Sequence, residues 1–341
     1  MAQVTVDRLE DEEIWERFMA QHVEANFLHS WYWGEFQLRL GHIVEKRGFY
    51  KGSELIGILL AIVEPAKRGR HLVIPAGPII NWEESDLVEA WLKEIRVIAK
   101  AHGCVFVRVR PQILDTSENR TLFKKLGFVK APMHLHAQLT NQLDLGKTDE
   151  ELKKNMRKGT RYELNRSKKL GIKVEAVNDN RYIDEFYNLQ LETAKRQKFT
   201  PFSKTFLREQ FDAFAQVDKV LMFRSSYEGK LLAMAFIIFY NKEAAYHYGA
   251  STDLARQFPG AYSIQWDAIT EARNRGCLRY NFWGVTEHGQ TKHRFYGVSV
   301  FKRGFGGEDV SYLPARDLVI KRFHYIFTYM FETARRKLRR L

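Results

Sequence analysis

The sequence predicts two tandem α/β domains, each built on a mixed sheet that helices cover. Three observations support this fold class. A chain of 341 residues is longer than most single domains, which favours two domains over one. Its 45% hydrophobic and 13% aromatic residues can fill substantial cores. Three sequence landmarks also recur in both halves, in one order and at a near-constant offset, which indicates a duplicated unit.

The repeated landmarks describe the same succession of elements in each half. The first landmark is a pair of strands joined by a polar turn. The second landmark is the end of a helix followed by the start of a strand. The third landmark ends in Gly-Phe. The pairs are residues 48–60 with 223–236, residues 101–109 with 274–282, and residues 123–128 with 301–305. Each half therefore reads helix, hairpin, strand, helix, strand. This order resembles the GNAT-like (acyl-CoA N-acyltransferase-like) fold.

We place the first domain at residues 1–146 and the second at residues 147–315. A basic stretch at the seam, residues 147–170, is predicted to form one helix that ends at Gly171. Its cations are Lys153, Lys154, Arg157, Lys158, Arg161, Arg166, Lys168 and Lys169. Few carboxylates are present to pair with them, so the pattern favours an anion-binding helix over a solvated face.

The chain ends in a predicted basic amphipathic helix, residues 316–341. Its apolar residues recur at helical spacing, at Ile320, Phe323, Ile326, Phe327, Met330 and Phe331. Its last residues are basic, with Arg335, Arg336, Lys337, Arg339 and Arg340. Two interpretations stay open. The helix lies on an anionic membrane, or it packs on the protein with its cations near the helix C-terminus.

The net charge of +13, with a pI of about 9.5, favours a polyanionic partner over charge that serves solubility alone. Nucleic acid, a nucleotide-linked substrate and an anionic membrane face all fit. Cys104 and Cys277 lie in apolar runs without metal spacing, as expected for buried thiols in a reducing cytosol. Residues 1–16 lack a signal-peptide pattern, and the longest apolar runs are too short to span a bilayer. We therefore expect a cytoplasmic protein, with a place at the inner face of the membrane left open.

The segment 301–307 is the strongest candidate for chemistry. Its sequence, Phe-Lys-Arg-Gly-Phe-Gly-Gly, offers a stacking face, a fixed cation and glycines that admit a close backbone approach. These parts suit a nucleotide 3′ end, and a strand with a Gly-rich turn is the alternative. The sequence lacks hydrolase, zinc-protease and Walker motifs, and we predict no metal and no cofactor. Residues 256–261 resemble a degraded coenzyme A loop with one glycine, so coenzyme A is disfavoured.

Five segments in order resemble the Fem family of peptidoglycan-bridge aminoacyltransferases. They are residues 30–36, 168–174, 246–251, 280–285 and 300–307. The resemblance implies two GNAT-like domains that work as one unit and an aminoacyl-tRNA donor. It implies an acceptor amine on the stem peptide of a muropeptide precursor, either lipid II or UDP-MurNAc-pentapeptide. The long helical arm that some members insert is absent, because residues 161–171 run straight on to Val174, which indicates the compact, armless subtype.

The resemblance also implies roles for individual residues. Lys302 matches the family lysine that handles the tRNA acceptor end and is the catalytic candidate. Tyr248 matches a tyrosine that contacts the precursor. The other donor-site candidates are Phe301, Arg303, Gly304, Arg161 and Arg166. The other acceptor-site candidates are Trp33, Gln37, Phe202 and Phe206.

Several positions depart from the family pattern. Gln37 stands where a lysine binds the muropeptide, and Arg110 precedes Pro111 where family members can carry an aspartate. Phe202 and Phe206 stand where an arginine and a tyrosine can contact the precursor. These changes remove contacts to a diphosphate and an amine. They favour a lipid-linked acceptor or a different precursor over a soluble UDP-linked one.

The implied reaction is aminolysis of an activated ester. A neutral amine attacks the aminoacyl carbonyl and the ribose hydroxyl leaves, so positioning supplies much of the rate. Lys302 would stabilise negative charge on the terminal nucleotide or on the developing oxyanion. No side-chain base stands out, so we expect substrate-assisted proton transfer. Two alternatives stay open: a coenzyme A-dependent N-acyltransferase of the same fold, and a non-catalytic protein that binds RNA or membranes.

Overall fold

A computed structural model describes residues 3–65 and 69–339, apart from the side chains of residues 337 and 339. The chain forms two compact units. Unit 1 comprises Met1–Gln138 and Ser311–Leu341, and unit 2 comprises Leu139–Val310. The chain therefore passes from unit 1 to unit 2 and back again.

The described residues form the following strands: β1 (Val4–Arg8), β2 (Ile43–Lys51), β3 (Glu54–Glu64), β4 (His71–Pro75), β5 (Ile79–Ile80), β6 (Phe106–Arg110), β7 (Val129–Lys130), β8 (Leu139–Asp144), β9 (Lys173–Val177), β10 (Val220–Tyr227), β11 (Lys230–Tyr240), β12 (Glu243–Ser251), β13 (Arg279–Gly284), β14 (Glu308–Ser311) and β15 (Arg316–Val319). The helices are α1 (Glu12–Ala20), α2 (Trp31–Arg39), α3 (Ser85–Ala101), α4 (Ser117–Lys125), α5 (Asp149–Asn155), α6 (Lys158–Leu170), α7 (Ile183–Gln197), α8 (Lys204–Ala215), α9 (Gly260–Asn274), α10 (Tyr296–Arg303) and α11 (Arg322–Arg339).

The sheet of unit 1 has the strand order β1-β2-β3-β4-β6-β15-β7, and β5 pairs with β3. Strands β1 to β4 are antiparallel neighbours, whereas β4 and β6 are parallel, with Leu72 opposite Val107. Helix α3 connects this parallel pair, as a crossover requires. Its apolar residues recur at helical spacing, so one face buries Leu87, Trp91 and Ile95 in the core.

The sheet of unit 2 has the order β14-β8-β13-β12-β11-β10-β9. Strands β9 to β12 are antiparallel neighbours, and β12 is parallel to β13. Helix α9 connects this parallel pair and buries Ile264, Ala268 and Ile269. Both sheets thus contain four antiparallel strands followed by a parallel fifth, and this is the duplicated order that the sequence landmarks predict.

The observed boundaries of the units differ from the predicted ones. Strand β8, which we expected at the end of the first domain, pairs with β13 of unit 2, with Gln142 opposite Asn281. Strand β15, which we expected within the C-terminal helix, pairs with β6 of unit 1, with Leu318 opposite Val107. Unit 2 therefore begins at residue 139 rather than 147, and residues 311–341 return to unit 1. Pairing between strands that lie far apart in the chain leaves no local signal in the sequence.

Two predicted helices are also corrected. The basic stretch 147–170 is two helices, because the chain breaks at Met156, which is buried in the core, and at Arg157, whose N–H donates to the carbonyl of Gly304. The C-terminal helix begins at Arg322 rather than at residue 316, and residues 340–341 lie outside the described residues. Of the helices in the described part of the chain, none has the length and apolar character needed to cross a membrane.

A buried ion network fixes β6, β15 and α11 to one another in unit 1. The Arg108 guanidinium donates to both carboxylate oxygens of Asp317 at 2.8 Å and to Glu332 Oε2 at 2.8 Å. Tyr325 Oη donates to Asp317 Oδ2 at 2.9 Å. Burial raises the pKa of Asp317, and the Arg108 guanidinium opposes that shift. Arg108 and Asp317 are 5% and 0% exposed, so this network depends on having all its partners.

Replacing Arg108 with alanine leaves the carboxylates of Asp317 and Glu332 without their cation. We expect Arg108→Ala to lower the free energy of unfolding by about 3–5 kcal/mol, as measured by urea denaturation. Arg17→Ala removes an exposed ion pair with Glu13 and serves as the control, with an unchanged urea midpoint. Equal midpoints for the two variants would contradict the anchoring role of the network.

Candidate functional site

The side chain of Lys302 lies buried inside unit 2. It extends from α10, and its Nζ donates to the carbonyl of Gly284, at the end of β13, at 2.7 Å. The same Nζ lies 5.6 Å from the centroid of the Tyr246 ring on β12. Lys302 is only 8% exposed, and this burial lowers its pKa to about 7. The amine therefore titrates near neutrality, whereas we expected a fixed cation from the sequence.

The partner of Lys302 lies where β12 and β13 stop pairing. Their parallel ladder joins residues 243–245 to residues 279–281 and does not continue to Gly284. A register shift in the β11–β12 ladder opposite His247 and a positive φ of 64° at Trp283 both distort the strands here. The Gly284 carbonyl is thus available to Lys302 instead of to β12, while Gly284 pairs with Thr140 of β8 on its other side.

The other residues of the segment 301–307 are held by contacts within unit 2. The Phe301 ring meets Tyr262 and Phe305 edge-on, at centroid distances of 5.0 and 5.5 Å. Arg303 Nη2 donates to Asp309 Oδ2 at 2.6 Å and also to the Thr286 carbonyl. Although burial acts to raise it, the pKa of Asp309 is held below its ordinary value by the hydrogen bond from Arg303. Phe301 is half-buried and Arg303 is paired, so neither presents the open contact that we predicted.

The glycines of this segment pack against the protein's own chain. A Cβ at Gly304 would lie 2.5 Å from Thr160 Oγ1, and one at Gly306, where φ is +90°, would lie 2.6 Å from the Asn155 carbonyl oxygen. A Cβ at Gly307 would lie 2.6 Å from the Gln142 carbonyl oxygen. We expected these glycines to admit a nucleotide. Their observed role is to seat the turn after α10 against the α5–α6 break and β8.

The two arginines predicted to bind the donor are largely engaged on the protein. Arg161 donates to the carbonyls that end α5, including that of Lys154 at 3.1 Å, so it caps the C-terminus of that helix. Arg166 Nη2 donates to the Gln257 carbonyl at 2.6 Å.

Two cations of the stretch for which the sequence favours an anion-binding helix lie on an exposed face of α6, beside Tyr162, which the sequence analysis did not single out. Lys158, Tyr162, Asn165 and Lys169 follow at helical spacing and are all exposed, with Tyr162 at 64%. Cations that flank an exposed aromatic ring are the arrangement that binds single-stranded nucleic acid. The spacing of these residues was readable from the sequence, but their exposure was not.

Three of the predicted acceptor residues come together in unit 2. The rings of Phe202 and Phe206 stack at 4.7 Å, and Phe202 lies 4.9 Å from the Tyr248 ring. Tyr248 Oη donates to Gln210 Oε1 at 3.1 Å, and burial raises the pKa of Tyr248. The ring centroids of His247 and Tyr248 lie 4.0 Å apart. Burial lowers the pKa of His247 to about 3, which keeps its imidazole neutral at physiological pH. The result is an aromatic wall with neutral polar groups.

Two glutamines beside this wall were missed in the sequence analysis. Gln190 Oε1 accepts from the Phe202 N–H at 3.0 Å, as Gln210 Oε1 accepts from Tyr248. Both glutamines are buried, and within the described residues nothing accepts a hydrogen bond from either Nε2. A buried amide without an acceptor is costly, so each of these donors calls for an acceptor oxygen, from water or from a ligand. The one signal in the sequence for these two glutamines is their position on the apolar faces of α7 and α8.

The predicted acceptor residues of unit 1 have structural surroundings. Trp33 is buried and packs edge-on against Phe27 and Phe36, at 5.8 and 5.1 Å. Gln37 is buried, and its Oε1 lies 2.6 Å from His42 Nδ1.

A cation that the sequence analysis missed lies beside Trp31 in unit 1. Lys46 Nζ is 3.0 Å from the centroid of that ring and 2.7 Å from Glu35 Oε1. Arg110, by contrast, is buried and stacks over the Tyr312 ring at 4.7 Å. Among the described residues, no three His, Cys, Asp or Glu side chains are grouped to hold a metal ion.

Comparisons with known proteins cover most of this chain. The model of the FemAB family matches residues 9–225 and 218–333. The aminoacyltransferase FemA of Staphylococcus aureus (strain MRSA252) is 23% identical over 84% of this chain and 91% of its own length. A crystal structure of FemX superposes with a TM-score of 0.86 at 16% identity, covering 95% of this chain and all of that chain.

A tandem GNAT protein from the clavulanic acid biosynthesis pathway superposes with a TM-score of 0.60 at 10% identity, covering 93% of this chain and 98% of that chain. Together with the two sheets described above, the likeness to this protein and to FemX confirms the predicted fold class. It consists of two tandem GNAT-like domains with mixed sheets.

Paired glycine variants test whether the turn after α10 depends on close packing. Gly304→Ala brings a Cβ against Thr160 and the Phe301 carbonyl, so we expect a loss of about 1–3 kcal/mol in the free energy of unfolding. Gly297→Ala, in the first turn of α10, meets no atom within 4 Å and should stabilise the protein by up to about 1 kcal/mol. Urea denaturation measures both, and a shared midpoint would contradict the packing role.

Proposed function

The chain belongs to the FemAB family, and from this premise we propose that it is an aminoacyltransferase of peptidoglycan-bridge synthesis. It moves an amino acid from aminoacyl-tRNA to the amine of the stem peptide of a muropeptide precursor. The observation that carries the proposal is the buried amine of Lys302, which has one backbone partner and a pKa of about 7. Such an amine can respond to an arriving anion, because a nearby negative charge favours its protonated form.

The chemical step is an ester aminolysis. The acceptor nitrogen forms a bond to the aminoacyl carbonyl carbon, and the bond from that carbon to the ribose oxygen breaks. The proton lost by the nitrogen ends on the ribose hydroxyl, so atoms balance without a cofactor. Lys302, protonated when the phosphate or oxyanion is beside it, stabilises the negative charge in surroundings that water does not screen. Proton transfer is substrate-assisted, since the imidazole of His247 is held neutral by burial and its low pKa makes it a weak base.

The donor is held by unit 2. The exposed face of α6, with Lys158, Tyr162 and Lys169, supplies cations for phosphates and a ring for base stacking. Phe301, Arg303 and Gly304 act by holding Lys302 in place. Arg161 and Arg166 act by fixing α5 and α6. This division explains why residues predicted to touch the tRNA are engaged within the unit.

The acceptor is held by the aromatic wall. Phe202, Phe206 and Tyr248 offer apolar surface, and the amides of Gln190 and Gln210 offer donors for carbonyl or hydroxyl oxygens. Phe202 and Phe206 stand where family members can use an arginine and a tyrosine, so the wall lacks that diphosphate contact. This favours a lipid-linked precursor over a UDP-linked one.

The proposal places the enzyme in the cytoplasm, where charged tRNA is found, with peripheral contact to an anionic membrane. The coenzyme A alternative loses support at Gly260. A Cβ there would lie 2.5 Å from Ser225 Oγ and 2.7 Å from Leu232 Cβ, so this glycine serves packing. The carbonyl of the neighbouring Gln257 accepts from Arg166. The loop that coenzyme A would need is therefore occupied by contacts within the protein.

A transfer assay tests the proposed function. The protein is incubated with a mixed pool of charged tRNAs and either lipid II or UDP-MurNAc-pentapeptide, and the products are weighed by mass spectrometry. We expect the precursor to gain the mass of an amino-acid residue, with more product from lipid II. A gain of acetyl mass from added acetyl-CoA, or tRNA binding without transfer, would overturn the proposal.

Variants of two lysines then test the role of Lys302. Lys302→Met should lower turnover by about 100-fold or more, with precursor binding unchanged, because it removes charge stabilisation at the reacting ester. Lys230→Met, at an exposed lysine that opens β11, is the matched control and should retain turnover. Equal turnover in the two variants would remove Lys302 from the mechanism.

A further inference from the structure

Helix α11 carries its large apolar side chains on its solvent side. Phe323, Phe327 and Met330 are 79%, 74% and 65% exposed. Ile326, Phe331 and Leu338 are exposed as well. Because successive residues of a helix are about 100° apart, these positions form one continuous stripe. An exposed stripe of this kind marks an interaction surface rather than a scatter of single surface residues.

The opposite side of α11 is polar and faces unit 1. Tyr325 and Thr328 are buried, and Glu332 accepts from Arg108. Tyr325 also donates to Asp317 and its ring packs edge-on against Phe106, so hydrogen bonds, an ion pair and one aromatic contact hold this side. A surface helix ordinarily buries its apolar face and exposes its polar one. In α11 most of the large apolar side chains lie on the exposed side instead.

The charge around the stripe is positive. Arg322 and Arg335 are exposed, and Lys321 precedes the helix. The sequence of α11 holds a single carboxylate, Glu332, which Arg108 already pairs. The stripe is therefore bordered by cations that no acid of the same helix neutralises.

We propose that α11 docks the protein on a bilayer that contains anionic phospholipids. The helix lies in the headgroup region, with Phe323, Phe327 and Met330 among the acyl chains and the arginines on lipid phosphates. The charge favours lipid over a second copy of the chain, because pairing two such helices would bring their cations together. Membrane docking would bring the enzyme to a lipid-linked acceptor. This purpose rests on the proposed function, whereas the docking surface itself does not.

Vesicle co-sedimentation of the full chain tests the surface. The vesicles are phosphatidylcholine alone, or equal parts phosphatidylcholine and phosphatidylglycerol. We expect binding to the mixed vesicles that weakens in high salt, and little binding to phosphatidylcholine. The variant F323S/F327S should bind at least about tenfold more weakly, since two exposed rings are lost. The control V97S/L278S removes exposed apolar groups elsewhere and should bind as the wild type does.

Other outcomes decide against the surface. Equal vesicle binding by F323S/F327S and the wild type would overturn it. A concentration-dependent dimer, seen by light scattering and lost in F323S/F327S, would assign the stripe to self-association instead.

A second readout separates this inference from the proposed function. F323S/F327S should retain transfer to detergent-solubilised lipid II and lose it for lipid II in vesicles. Vesicle binding by a wild-type protein that transfers nothing would support the docking surface and reject the proposed function.

Discussion

The arrangement around the candidate site depends on the burial of one amine, that of Lys302. Helix α10 brings Lys302 to the Gly284 carbonyl because the turn that follows α10 is seated against the α5–α6 break. The seat consists of glycines that allow backbone to approach backbone and of the hydrogen bond from Arg157 to Gly304. The opening between β12 and β13 provides the carbonyl. Without these features a lysine would leave the interior, because burying its charge is costly.

The two halves of the duplicated chain use the same dipeptide in opposite ways. In unit 1 the helix α4 ends with Phe123 fully buried and Lys124 exposed. In unit 2 the helix α10 ends with Phe301 half-buried and Lys302 directed inward. The fold is therefore repeated but the site is not. This asymmetry supports the proposal that Lys302 of unit 2 takes part in the chemistry.

Much of the fold was predictable because its signals are local. Hairpins, helix ends and Gly-Phe turns recur in the sequence, and the sheets repeat in the same way. The return of β15 to unit 1 was not predictable, since strand pairing across 200 residues leaves no periodicity. The sequence pointed to Lys302 and to the aromatic residues near Tyr248. It did not reveal that Arg161 and Arg303 bind carbonyls, or that α11 faces outward with its apolar side, because partners and burial are tertiary properties.

The most direct test of this account is an NMR titration of the Lys302 amine. Lysines are labelled with 13C at Cε, and the Lys302 signal is identified by its loss in Lys302→Arg. We expect a midpoint near pH 7, which moves upward when a charged tRNA binds, because the bound anion favours the protonated amine. A midpoint at the ordinary lysine value of 10.5 would contradict it, since the amine would then be a plain solvated cation.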